Sequence, residues 1–104
     1  MTLEQMWKEL KGRIAPDSHI QNWTADKGYL GDKFSVAAVK PGFVHVVSPG
    51  AENVQKIPDA DFVAVLGMWN DYVDGKLKRE QIQDRTRFSK YIVSILHSLE
   101  QPRQ

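Results

Sequence analysis

The chain has 104 residues, a net charge of +1, 41% hydrophobic residues, three tryptophans and no cysteine. That length suits one domain around one core, and the lack of cysteine excludes a disulfide framework, a thiolate nucleophile and a zinc–thiolate centre. No apolar run approaches the roughly 20 residues that a membrane helix needs, and the opening Met1-Thr2-Leu3-Glu4 lacks the basic-then-apolar pattern of a secretory leader, so the expectation is a soluble, cytoplasmic, full-length protein.

In chain order, Thr2 followed by Gln5 reads as a capping box. Leu3, Met6, Trp7 and Leu10 then form one face of a short amphipathic helix that Gly12 should end. Pro16-Asp17-Ser18 is a turn signal, and His19 to Thr24 reads as a short edge strand around Ile20 and Trp23. Asp26 to Asp32 is expected to be loop, with Gly28 and Gly31 as breakers. Phe34–Val39 and Phe43–Val47 are rich in strand formers and flank Pro41-Gly42, a tight-turn pair. Pro49-Gly50 marks a further turn, and Asn53 to Ile57 reads as another strand. The Phe43–Val47 strand is apolar on both sides, with Phe43, His45 and Val47 on one and Val44 and Val46 on the other. A sheet with one wet face should alternate more clearly, so helices or a partner are expected on both faces.

The longest periodicity lies from Asp59 to Gln101. Phe62, Val65, Leu66, Trp69, Tyr72 and Val73 follow the spacing of one helix face. Pro58 blocks helix before Asp59, and Gly75 is suited to a left-handed stop. Leu77 to Arg85 should hold one short helix with Ile82 inward. Phe88, Tyr91, Ile92, Ile95, Leu96 and Leu99 define a last helix capped by Thr86 and ended by Pro102. Strands and helices are segregated along the chain, which predicts an α+β fold: an N-terminal helix, a three- to four-stranded antiparallel meander, and a two- to three-helix block packed on it.

Within this block, F-V-A-V-L-G-M-W-N-D-Y-V-D-G-K-L-K-R-E and T-R-F-S-K-Y-I-V-S-I-L-H, covering residues 62–97, resemble a pattern of small uncharacterised bacterial proteins. Trp69, Tyr72, Gly75, Arg79, Ser89 and Tyr91 carry the likeness. The resemblance implies a bacterial or mobile-element origin and no activity.

Charge is unevenly distributed. Residues 1–75 sum to −3 and residues 76–104 to +4, an asymmetry that points to an anionic partner. Lys76, Lys78, Arg79, Arg85, Arg87 and Lys90 carry it. Arg87 and Lys90 are expected in the first turn of the last helix, where cations oppose the helix dipole and free N–H groups suit phosphate. A solvated surface is the plainer explanation of the same residues.

Catalytic patterns fail on spacing. Pro58-Asp59 with Asp74-Gly75-Lys76 has the residue types of a metal-dependent nuclease, but a single helix would hold the aspartates roughly 22 Å apart. Asn70 to Gln81 has the outline of a calcium loop but carries Tyr72 at the third ligand position and Gln81 in place of the bidentate acid at the twelfth. Asp17-Ser18-His19 supplies triad residue types as sequence neighbours, which point apart. His19, His45 and His97 lie in separate elements without a helical metal-ligand spacing. No cofactor or metal is expected. The leading expectation is a non-enzymatic binding domain for nucleic acid or another polyanion. The alternatives are an interaction or homodimer module using the apolar sheet, and a small-molecule enzyme with a pocket near His45 and Trp23.

Overall fold

The computed structural model describes residues 2–13, 19–48 and 54–101. The turns expected at residues 16–18 and 49–50, the strand start at Asn53 and the stop at Pro102 lie outside them. The elements run α1 (Leu3–Arg13), β1 (His19–Thr24), β2 (Gly28–Lys40), β3 (Phe43–Val47), β4 (Gln55–Pro58), α2 (Asp59–Leu66), α3 (Trp69–Val73), α4 (Arg79–Gln83) and α5 (Ser89–Glu100). The four strands form an antiparallel meander in chain order. The fold is α+β.

The capping box at α1 is closed from both sides. Thr2 N–H donates to Gln5 Oε1 at 2.8 Å and Gln5 N–H to Thr2 Oγ1 at 3.2 Å. Gly12 does not stop this helix, which continues to Arg13. A glycine in a helix costs about 1 kcal/mol, and α1 offsets that by burying Met6 and Leu10 completely and setting Trp7 edge-on to Phe62 at 5.4 Å.

β2 starts six residues before Phe34, so the Asp26–Asp32 loop expected from the glycines is mostly strand. Gly28, at φ +72°, leads the chain out of the turn after β1. Gly31 lies in the stretch where the β1–β2 register shifts: Gln21 pairs with Lys33, but Trp23 pairs with Tyr29. A glycine inside a strand commonly marks such an irregularity. There Gln21 Nε2 donates to the Leu30 carbonyl at 2.7 Å.

The sheet is one-sided. Val36, Val44, Val46 and Ile57 are buried with Phe34 in a core that also takes Phe62, Val65, Ile92 and Ile95 from the helices. Each such side chain contributes roughly 1.5–3 kcal/mol. The opposite face holds Lys33, Ser35, Ala38, Lys40, Phe43, His45, Val47 and Lys56 by register. Helices therefore cover one face, and the other is far more polar than Phe43 and Val47 alone imply. The reason is that Lys40 and Lys56 flank β3 in register while lying outside its sequence window, and Lys33 extends the same face opposite Gln21 of β1.

Both edges of the sheet are guarded. α5 runs along β1, and Trp23 N–H, which would face solvent on an open edge, donates to Ser94 Oγ at 3.0 Å. β4 is four residues long and carries Lys56 and Pro58, both edge-blunting residue types.

The expected Asp59–Gly75 helix is two helices. The break falls at Gly67-Met68, where Met68 N–H reaches back three residues to Val65 O at 2.9 Å. Gly67 is the weakest helix former in the run. Beyond the break Trp69 and Tyr72 stay buried, but Val73 turns outward and is 45% exposed. Gly75, at φ +80°, stops α3 in the left-handed conformation, and Lys76 N–H closes back on Asp71 O at 2.8 Å. Ile82 of α4 is buried as expected. Thr86 caps no helix directly: its Oγ1 accepts the Phe88 N–H at 3.0 Å and donates to Asp61 at 3.0 Å, tying the α4–α5 link to α2.

Candidate functional site

The basic residues of 76–90 project from the helical layer. Lys76 lies in the turn after α3, and Lys78 and Arg79 open α4. Arg85 follows α4, Arg87 precedes α5, and Lys90 is its second residue. All are exposed except Arg79, which is half-buried. Arg87 is thus outside the helix rather than in its first turn, because α5 starts at Ser89. Its guanidinium stands over the Phe88 ring at 4.7 Å, and Lys90 Nζ lies 5.7 Å from the Tyr91 ring centre. These contacts give the two cations local partners worth about 0.5–1 kcal/mol each at an exposed site. Asp71, Asp74, Glu80 and Asp84 are interleaved with the basic residues and also exposed.

Part of this row borders a cleft. Thr24, Ala25, Asp26 and Lys27 form one wall, and Tyr72, Val73, Gly75, Leu77, Lys78, Arg79 and Glu80 the other, around about 490 Å³. The floor is rigid: buried Tyr72 accepts the Ala25 N–H on its hydroxyl at 3.0 Å, and buried Thr24 accepts the Lys27 N–H at 3.2 Å. Lys27, Lys78 and Arg79 therefore converge from elements half the chain apart. Sequence reading missed Lys27, since a charge count along the chain sees only neighbours, and Lys27 sits beside Asp26 in a stretch of net negative charge.

His45 and Trp23 are not brought together. His45 lies in β3 opposite Ala38 and Lys56, and Trp23 lies in β1 opposite Tyr29. Along β2, Tyr29 and Ala38 are separated by roughly 25–30 Å of strand, so the two side chains share no pocket. Neither lines the cleft above.

Trp23, which belongs to no apolar stripe of the sequence, is half-buried. It stacks on His97 with ring centres 3.9 Å apart and planes 11° from parallel, and it packs against Trp69 and Tyr72. Tyr29 meets the other side of this group edge-on to His97 at 5.4 Å. Burial holds the His97 imidazole below its ordinary pKa, with Glu100 pulling in the opposite direction. Glu100 also accepts the Trp69 indole N–H. The cluster was invisible in the sequence because Trp23 belongs to no apolar stripe; only the docking of α5 on β1 supplies its partners.

His19 opens β1 opposite Ser35 of β2, with Nδ1 at 3.0 Å from Ser35 Oγ. Asp59 opens α2 and Asp74 follows α3, at opposite ends of the helix pair. Among the described residues, no three His, Asp or Glu side chains gather around a common point, and no helix is long and apolar enough to cross a membrane. Compared with protein families, with curated proteins and with solved structures, the chain matches none.

Proposed function

We propose that this protein is a binding domain for a polyanion, nucleic acid first, with the 76–90 row supplying phosphate contacts. The observation that carries this reading is the convergence of Lys27 with Lys78 and Arg79 around one rigid-floored cleft. Cations drawn from distant parts of a chain to one place are less readily explained by dispersed surface charge than a run of neighbours is. Asp26 and Glu80 on the same rim offset part of the charge, so affinity rests on the row continuing through Arg85, Arg87 and Lys90. Phosphate contacts position a protein without reading sequence, and the row contains no base-reading set.

The test is anisotropy of a labelled duplex against salt concentration. Six contacts, from Lys27, Lys78, Arg79, Arg85, Arg87 and Lys90, imply a log–log slope of about −5. Lys27→Glu with Lys78→Glu should flatten the slope by about 2 and weaken binding at every salt. No binding of wild type to DNA or RNA at low salt overturns the proposal.

A second reading is self-association through the uncovered sheet face, favoured by Phe43, which is 43% exposed. Lys33, Lys40 and Lys56 on that face oppose it, because a two-fold interface sets a patch against its own copy and like charges so placed repel. Sedimentation at micromolar concentration decides it, a dimer mass being the result this second reading requires.

A further inference from the structure

We infer that the sheet face left open by the described helices is a platform for single-stranded nucleic acid, separate from the 76–90 row on the helical side. The inference does not rest on that row. It starts from the register. β3 is flanked on one side by β2 and on the other by β4, so three cross-strand rows can be written out: Ser35 with Val47, Ala38 with His45 and Lys56, and Lys40 with Phe43 and Pro58. Lys33 continues the face along β2, opposite Gln21. The three lysines are all exposed.

Among the described residues, the charges in the cross-strand rows of this face are of one sign. The only acid in the four strands is Asp32, which sits in the irregular stretch between the two register blocks of β1 and β2 rather than among the rows. This contrasts with the helical side, where Asp71, Asp74, Glu80 and Asp84 interrupt the basic residues. Cations without interleaved acids are the electrostatic footprint of a polyanion partner. Lys33 and Lys40 are separated by roughly 20 Å of strand, enough to follow several successive phosphates.

Phe43 selects the form of the nucleic acid. It lies at the start of an internal strand, held between Lys40 and Pro58 in register, and 43% of its surface is open. An exposed ring on a sheet, flanked by a lysine, offers a stacking surface to an unpaired base. A duplex keeps its bases stacked on each other and offers no free ring, and this four-stranded face is too broad to enter a groove as a two-stranded ribbon does. A second copy of the chain is the poorer occupant, because it would bring three more lysines to the same face.

The experiment uses the whole chain and a fluorescently labelled oligothymidylate, with a duplex of equal length and matched label alongside. Lys33→Glu, Lys40→Glu and Lys56→Glu are combined in one variant; all three side chains are exposed, and circular dichroism checks that the fold is kept. Phe43→Ala and Phe43→Tyr are made separately. Wild type should bind the single strand with a salt slope of about −2, the value for three contacts at −0.7 each. The triple variant should lose at least tenfold in affinity for the single strand. Phe43→Ala should lose about tenfold, and Phe43→Tyr should restore it. Arg85→Glu with Arg87→Glu should weaken the duplex more than it weakens the single strand. Wild-type affinity in the triple variant, equal affinity of Phe43→Ala and wild type, or a greater single-strand loss in the Arg85/Arg87 variant than in the triple variant each overturns the inference. A wild-type dimer dispersed by Phe43→Ala would overturn it too, by assigning the face to a second copy. Failure here leaves duplex binding by the helical side intact, so the two readings fail separately.

Discussion

Ser94→Ala tests how the sheet's first edge is held. Ser94 is 1% exposed, takes the Trp23 N–H on its hydroxyl at 3.0 Å, and gives its own proton to Lys90 O at 2.9 Å. The substitution removes one oxygen and leaves a negligible cavity, so packing is nearly unchanged. It strands the Trp23 N–H against a helix, where a buried unpaired donor costs about 1–3 kcal/mol. Trp23 is half-buried, which places the cost in the lower half of that range. Alanine also gains about 0.5 kcal/mol of helix propensity over serine. The net expectation is a loss of about 1 kcal/mol, or a fall in Tm of roughly 4–8 °C for a domain of this size. Urea denaturation should show a lower midpoint with an unchanged m value, and hydrogen exchange should show the Trp23 amide losing protection before its neighbours in β1. A variant as stable as wild type, with the Trp23 amide still protected, would refute the idea that Ser94 seals this edge.

Trp69→Ala should destabilise the fold by about 3–5 kcal/mol, the usual cost for a buried large aromatic. Trp69 is 4% exposed and packs on both Trp23 and Tyr72; a denaturation midpoint equal to that of wild type would place it outside the core. The His97 imidazole has its pKa lowered by burial, so the unfolded chain binds its proton more readily than the folded one. Its contribution is complete above the unfolded value of about 6.5 and is lost as pH falls through the lower folded value. The Tm of wild type should therefore fall between about pH 7 and about pH 5, and His97→Phe, which keeps a ring against Trp23 but cannot titrate, should flatten that fall. An identical pH profile in the two proteins would remove His97 as its cause.

Local order was already readable along the chain. Thr2 and Gln5 cap α1 through bonds three residues apart, Pro41-Gly42 closes the β2–β3 hairpin, Gly75 takes the left-handed stop, and Ile82 points inward from α4. Each depends on propensity or on neighbours within a turn, which a sequence states directly. The segregation of strands from helices made the α+β class legible for the same reason.

Tertiary contacts decided the rest. Gly12 and Gly31 read as breakers, yet packing of α1 and pairing of β2 carry the chain through both, because burial outweighs a local cost of about 1 kcal/mol. Register assigned Lys33, Lys40 and Lys56 to one face with Phe43, a grouping spread over three strands that no window along the chain contains. Lys27 joined Lys78 and Arg79 only when the turn after β1 met the α3–α4 link. Trp23 found His97, and its backbone N–H found Ser94, only once α5 had docked on β1. Periodicity fixes which way a side chain points relative to its own element; which distant element lies opposite depends on how the layers pack, and both candidate surfaces of this protein are made at that level.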